Sequence, residues 1–276
     1  MAITAQDVNK LRQMTGAGMM DCKKALTEAD GDFEKAIELL RKKGQKVSAS
    51  RADRETSEGV VFTKTNESNT EGIILAFTCE TDFVAKNEGF IALGNAITDI
   101  AFANKPASVE ALKELSLDGL TIAEKIIEMT GKIGEKLEIT EMKIVSGEAV
   151  VPYTHSNAKL GVLVTLKNVN GTDVIEAGKD VAMQIAAMNP VAVDKDDVDA
   201  TIVEKELEIG KEQALAEGKP ANIVDKIAEG KLQKFYKDST LLNQQFVKDN
   251  SVTVAKYLDG ISAGLTVTEF KRVSIG

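Results

Sequence analysis

Apolar residues change their spacing once near the start of this chain, and that change limits the folds open to it. From Val8 to Leu40 they recur at three- and four-residue intervals: Val8, Leu11 and Met14; Met19, Cys22, Leu26 and Ala29; Phe33, Ile37 and Leu40. That spacing gathers each set on one face of a helix. Thr15-Gly-Ala-Gly18 and Asp30-Gly-Asp32 interrupt the pattern, and Asp32 is placed to cap the third helix. Residues 44–58 are polar and charged and read as a linker. Beyond them the pattern becomes strand, strand, helix. Gly59-Val-Val-Phe-Thr-Lys-Thr65 and Gly72-Ile-Ile-Leu-Ala-Phe-Thr78 read as strands, and residues 90–103 as a helix with Phe90, Leu93, Ile97 and Ile100 on one face. The chain is therefore expected to be α+β, opening with a small helical unit whose limited core makes it modestly stable.

The rest of the chain extends this plan. Thr121-Ile-Ala-Glu124 is a capping box for a helix over 122–130. A weak repeat relates Val60-Val61 to Val150-Val151, Gly72-Ile-Ile-Leu75 to Gly161-Val-Leu-Val164, and Gly94, Ile97, Ala103 and Pro106 to Gly178, Val181, Ala187 and Pro190. Two similar α+β units would produce it; so would chance, since few positions match and each is a common residue type. Residues 197–217 and 220–240 carry two long helical patterns joined by Gly218-Lys-Pro220, the expected ending and opening of an antiparallel hairpin. Val198, Ile202 and Ile209 face one way on the first arm, and Ile223, Ile227 and Phe235 one way on the second. Residues 265–275 alternate as a closing strand. The expected division is 1–56 for the helical unit and linker, 57–146 for a first α+β subdomain, and 147–276 for a related second one, with hairpin 197–240 inserted.

Charge and composition exclude several functions. The net charge is −9, whereas tracking phosphates over a broad surface needs excess Lys and Arg. The local cluster Arg41, Lys42, Lys43, Lys46, Arg51 and Arg54 reads as a positive helix end and solvated linker, diluted by Asp53, Glu55 and Glu58. Residues 1–20 have neither a charged start nor an apolar stretch, and no apolar run approaches the ~18 residues of a membrane span. With only Cys22 and Cys79 as thiols, a cytoplasmic chain is expected. Cys22 lies in a helical pattern and reads as core.

The sequence offers no catalytic constellation. His155 is the only histidine, no cysteine pair has zinc spacing, and there is no phosphate-binding Gly-rich loop. No cofactor and no metal are expected. His155, near Tyr153, reads as a polar loop residue. Composition and pattern together point to a binding or scaffolding protein. An enzyme using a lone carboxylate and a chaperone-type adaptor resting on the first three helices are the rivals.

Three segments are more specific. Leu11-Arg-Gln-Met-Thr-Gly-Ala-Gly-Met-Met-Asp-Cys-Lys-Lys-Ala-Leu26 resembles the opening of the bacterial elongation factor Ts family, Thr81-Asp-Phe-Val-Ala-Lys-Asn87 its core signature, and Ile185-Ala-Ala-Met-Asn-Pro190 a further segment. The resemblance runs in order along nearly the whole chain. It implies a guanine-nucleotide exchange factor, without covalent chemistry, for elongation factor Tu, the GTPase that delivers aminoacyl-tRNA. The implied fold is a ubiquitin-associated-like N-terminal domain, a core of two related subdomains and an antiparallel coiled coil. A homodimer through core or hairpin stays open, and no direct nucleic-acid partner is expected.

Carried over position by position, the resemblance makes Thr81, Asp82, Phe83 and Val84 the segment that dislodges Mg²⁺ from the GTPase. Arg12, Met19, Met20 and His155 become partner-binding residues. Read from the residues alone, Phe83 would sit in the core and Asp82 would be a first-turn charge on a helix. The chain departs from the family at Gln244-Gln-Phe-Val247, where Gln-Pro-Phe-Val is frequent, and it ends soon after Phe270-Lys-Arg-Val273, where some members continue into another helical module.

Overall fold

In the computed structural model the described residues are 3–276, so the first two positions of the 1–56 unit lie outside them. Helices α1 (Ala5–Thr15), α2 (Met19–Glu28) and α3 (Phe33–Ser50) enclose a small cluster of Val8, Leu11, Cys22, Ala25, Leu26 and Ala36. Gly16 closes α1 in the left-handed conformation with φ 67°, and the Asp32 carboxylate accepts the Lys35 N–H at the start of α3. Cys22 is fully buried.

Only part of the expected 44–58 linker is one: residues 44–50 are helix, and 51–57 join α3 to the first strand. α3 continues to Ser50, because the helix has a second surface to cover, with Gly44 buried and Val47 half-buried. It lies along α7 (Ile122–Ile133), and both helices present a glycine at the crossing. A Cβ on Gly131 would stand 2.6 Å from the Gly44 Cα. In the basic cluster Arg41, Lys42, Lys43, Lys46 and Arg54 are exposed, with Lys42 paired to Glu38 and Lys43 to Asp21; only Arg51 turns inward, to Glu80.

Two antiparallel sheets follow. The first is built from β1 (Glu58–Thr65), β2 (Glu71–Cys79) and β5 (Leu137–Ser146), with β2 central. Between β2 and β5 run α4 (Asp82–Ala85), α5 (Glu88–Asn104), α6 (Val109–Lys113), the short hairpin β3 (Ser116–Leu117) and β4 (Leu120–Thr121), and α7. The Thr121–Glu124 capping box is formed. The second sheet is built from β6 (Ala149–Thr154), β7 (Leu160–Lys167) and β10 (Thr266–Ser274), with β7 central, and α8 (Ile175–Met188) packs on it. Between α8 and β10 lie α9 (Ala200–Ala216), α10 (Ala221–Ser239), β8 (Gln245–Phe246), β9 (Asp249–Thr253) and α11 (Val254–Ile261).

Each sheet turns one face to its helices. The other faces meet in a shared layer of Val61, Ile74, Ala76 and Val145 against Val150, Leu163, Val273 and Ile275. Each central strand approaches an edge strand of the other sheet through glycine: a Cβ on Gly72 would meet Val150 of β6 at 2.7 Å, and one on Gly161 would meet Val61 of β1 at 2.6 Å. This reciprocal contact matches Gly72 to Gly161, in line with the sequence repeat, but moves the Val60-Val61 match by one residue. Side chains alternate along a strand. Val61 and Val150 face the shared layer, whereas Phe62 and Val151 face helices. The true equivalents are therefore Val61 with Val150 and Phe62 with Val151. Strand register agrees, pairing Phe62 with Leu75 and Val151 with Val164. Gly94 in α5 then rests on the Phe62 ring as Gly178 in α8 rests on Val151.

The helical arms α9 and α10 pack on each other through a stripe of mostly small residues, with Ile202, Ile209, Ile227 and Phe235 half-buried at its side. Gly210, Ala214, Val224, Ala228 and Leu232 are buried, and Ile223 is exposed. Close helix contact favours small side chains at the seam, and a Cβ on Gly210 would stand 3.1 Å from the Ala228 Cα. Spacing of the large apolar residues alone misses this.

Candidate functional site

The turn after β2 carries Thr81, Asp82, Phe83 and Val84, and it divides its side chains sharply. Val84 and Ala85 pack into the cluster formed by Phe77, Cys79, Phe90 and Leu93. Phe77 stacks on Phe90 with ring centroids 4.5 Å apart. Phe83 points the other way and is 82% exposed. The expectation from local residues that Phe83 belongs to the core therefore fails: a one-turn helix offers the core a single side, and Val84 and Ala85 occupy it. Asp82 and Lys86 are both exposed and pair one turn apart at 2.6 Å. The Lys86 hydrogen bond holds the Asp82 carboxyl below its ordinary value.

The turn is anchored from one direction by its neighbours past α7. Thr81 donates its backbone N–H and its hydroxyl to the two Glu135 oxygens, at 3.0 and 2.7 Å. The adjacent Lys136 N–H donates back to Glu80 at 2.6 Å. Arg51 donates to both Glu80 oxygens, at 3.0 and 2.9 Å. Burial raises the Glu80 carboxyl, but the Lys136 N–H and the Arg51 guanidinium outweigh it and leave the group below the ordinary range. Cys79 donates its thiol to the Thr81 carbonyl at 3.2 Å. Its pKa is pushed up to about 12, first by burial and then by the Glu135 carboxylate.

Sequence reading did not single out Glu80, Glu135 or Lys136, and it placed Arg51 in solvent. One signal was available. Glu135 follows Gly134, which ends α7 in the left-handed conformation. A carboxylate past a helix C-terminus opposes the helix dipole, so it needs a partner from elsewhere.

The other candidates lie apart from this turn. Arg12 is exposed on the last turn of α1. Met19 and Met20 open α2, 55% and 74% exposed, and Met14 is exposed beside them in sequence. Neither Met19 nor Met20 contributes to the core. His155 belongs to the turn between β6 and β7 in the second sheet, exposed, with Nδ1 2.9 Å from the Tyr153 hydroxyl. Among the described residues, no group of three His, Cys, Asp or Glu is arranged to hold a metal. No helix there is long and apolar enough to cross a membrane.

Comparison with known proteins adds an independent line. Residues 80–276 match the family described as Elongation factor TS. Proteins named Elongation factor Ts resemble the chain throughout. The one from Amoebophilus asiaticus is 58% identical over 276 residues and covers 100% of both chains. That from Cytophaga hutchinsonii is 61% identical over 274 residues, 99% of each, and that from Porphyromonas gingivalis 49% over 276 residues.

Proposed function

The chain belongs to the elongation factor Ts family, the translation elongation factors of that name, and from this premise we propose that it binds elongation factor Tu carrying GDP and promotes GDP release in the cytoplasm. The observation that carries the reading is the exposure of Phe83 on a turn whose neighbouring Thr81 and Val84 are anchored. An aromatic ring left in water on a rigid turn is an apolar contact awaiting a partner. Burying it would supply about 2–3 kcal/mol.

The proposed action is displacement of Mg²⁺ in the partner's nucleotide site. Mg²⁺ demands near-ideal octahedral oxygen geometry and bridges protein to phosphate. A side chain wedged beside its ligands weakens the whole phosphate grip. Thr81 sets the turn, Val84 roots it in the core, Phe83 enters the partner, and Asp82 competes for hydrogen bonds around the metal. Arg12, Met19, Met20 and His155 are proposed as further contacts, and exposed methionines suit an adaptable apolar surface. The units 1–56, 57–146 and 147–276 are proposed as the arm, the wedge-bearing half and the half carrying the hairpin; the two equivalent sheets support that division.

The test mixes the protein with elongation factor Tu loaded with fluorescent GDP, in excess unlabelled GDP. Catalytic acceleration of release is expected. Binding without acceleration would instead favour a simple adaptor. Met19→Ala with Met20→Ala should raise the half-saturating concentration. These point variants are preferable to deleting residues 1–54, because removing α3 would also strip α7.

A further inference from the structure

Helix α3 serves two sites at once. At its start it packs with α2, which carries Met19 and Met20, and the Lys43–Asp21 pair ties the two together. Midway it crosses α7 at Gly44 and Gly131 with backbone almost touching backbone. At its end Arg51 grips Glu80 through both carboxylate oxygens. Glu80 stands one residue before Thr81, the N-cap of α4, and three before Phe83.

The contact is well made. One guanidinium nitrogen, Nη1, lies within hydrogen-bond distance of both carboxylate oxygens, and opposite charge on the two groups strengthens the contact. The Glu80 side chain is only 16% exposed and that of Arg51 34%, so solvent screens the pair less than an exposed one. The neighbouring bonds bring in the α7–β5 turn: Glu80 accepts from Lys136, and Thr81 donates to Glu135. The backbone feeding Phe83 is thus clamped between α3 on one side and residues 135–136 on the other.

We propose that Arg51 is a positioning residue: by holding Glu80 it fixes the turn that presents Phe83 and links that turn to the N-terminal helices. This rests on the reading of Phe83 as the group that enters the GTPase. Arg51 need not touch the partner. Ordering the turn in advance removes an entropy cost from the entry of the ring once the arm is docked, and attaching it to α3 fixes the direction in which the ring enters.

The experiment measures GDP release from elongation factor Tu against factor concentration for wild type, Arg51→Lys, Arg51→Ala, Phe83→Ala and the Arg51→Ala/Phe83→Ala double variant. Circular dichroism melts are recorded on the same samples. Arg51→Ala should lower the limiting release rate at saturating factor by about tenfold, within the range of couplings between contacting residues. The half-saturating concentration should change less. Arg51→Lys keeps the charge, loses the planar guanidinium and its reach, and should fall between. In the Phe83→Ala background Arg51→Ala should cost nothing further, because the ring it positions is gone. An unchanged limiting rate in Arg51→Ala, or an equal loss in both backgrounds, overturns the proposal. Should Arg51→Ala not fold, an unchanged limiting rate in Arg51→Lys does the same. Normal release by Phe83→Ala overturns the reading of Phe83 itself, and this proposal with it.

Discussion

Gly131 and Gly44 meet so closely that a methyl group on the first would lie 2.6 Å from the Cα of the second. No side chain yields at that point, since both partners are backbone. The crossing fixes how α3 lies on α7, and so where Arg51 and Met20 stand relative to the turn carrying Phe83. Gly131→Ala should therefore cost about 1–3 kcal/mol through overpacking, despite alanine's better helix propensity. Gly230→Ala, in α10 with nothing near its Cβ position, should instead stabilise by about 0.5–1 kcal/mol. Denaturant midpoints of the two variants check the contrast.

Phe83→Ala should leave the protein's own stability almost unchanged, because the ring is 82% exposed and surface changes cost under about 0.5 kcal/mol. GDP release should suffer instead. Losing about 2–3 kcal/mol of burial in the complex corresponds to a coupling roughly 30–150-fold smaller at about 1.4 kcal/mol per decade. Coupling between ligands is reciprocal, so GDP should weaken the variant's binding to the GTPase less than the wild type's. Melting temperature and release kinetics on the same samples decide; a large loss of stability with normal release by the folded fraction would sink the wedge.

Asp82→Ala should also fold normally, its partner Lys86 being an exposed neighbour one turn away. Its effect on release should be largest with Mg²⁺ present and smaller in excess chelator, where the metal has already left. Release rates with and without chelator measure this directly, and equal losses in both would remove Asp82 from any action on the metal.

The Cys79 thiol, pushed up to about 12, should have almost no thiolate at pH 8, and the thiolate is the reacting form. Iodoacetamide should modify Cys79 far more slowly in the folded protein than after denaturation. Peptide mapping by mass spectrometry reads the two states. Fast labelling of the folded protein would mean that the root of the turn opens readily.

Glu80 gives a pH signature. Its carboxyl is held below the ordinary value, so its stabilising contribution is present above the unfolded-state value of about 4.3. That contribution is lost as pH falls through the lower folded-state value. Glu80→Gln should be less stable than wild type at neutral pH, and the difference should shrink as the solution is acidified below that range. Urea midpoints across the series test the sign.

Much of this structure depends on residues close together in sequence, and that part was legible. Caps at Asp32 and Thr121, the turn at Gly16, and the apolar runs of β1 and β2 act over a few positions. The sequence by itself determined the three opening helices, the first two strands and the helix after them, the two arms of the hairpin, the closing strand, the paired glycines of the repeat and, through the motif at residues 81–87, the family. Tertiary structure alone decided which way Phe83 points, since Val84 and Ala85 compete for the same side of one short helix. It alone extended α3 past residue 44, because the surface that stabilises the extension lies on α7. The same holds for Arg51 with Glu80 and Thr81 with Glu135, contacts spanning 29 and 54 positions. A polar side chain in a single sequence carries no mark of a distant partner. Only folding brings the two within reach and removes the water that would otherwise satisfy both.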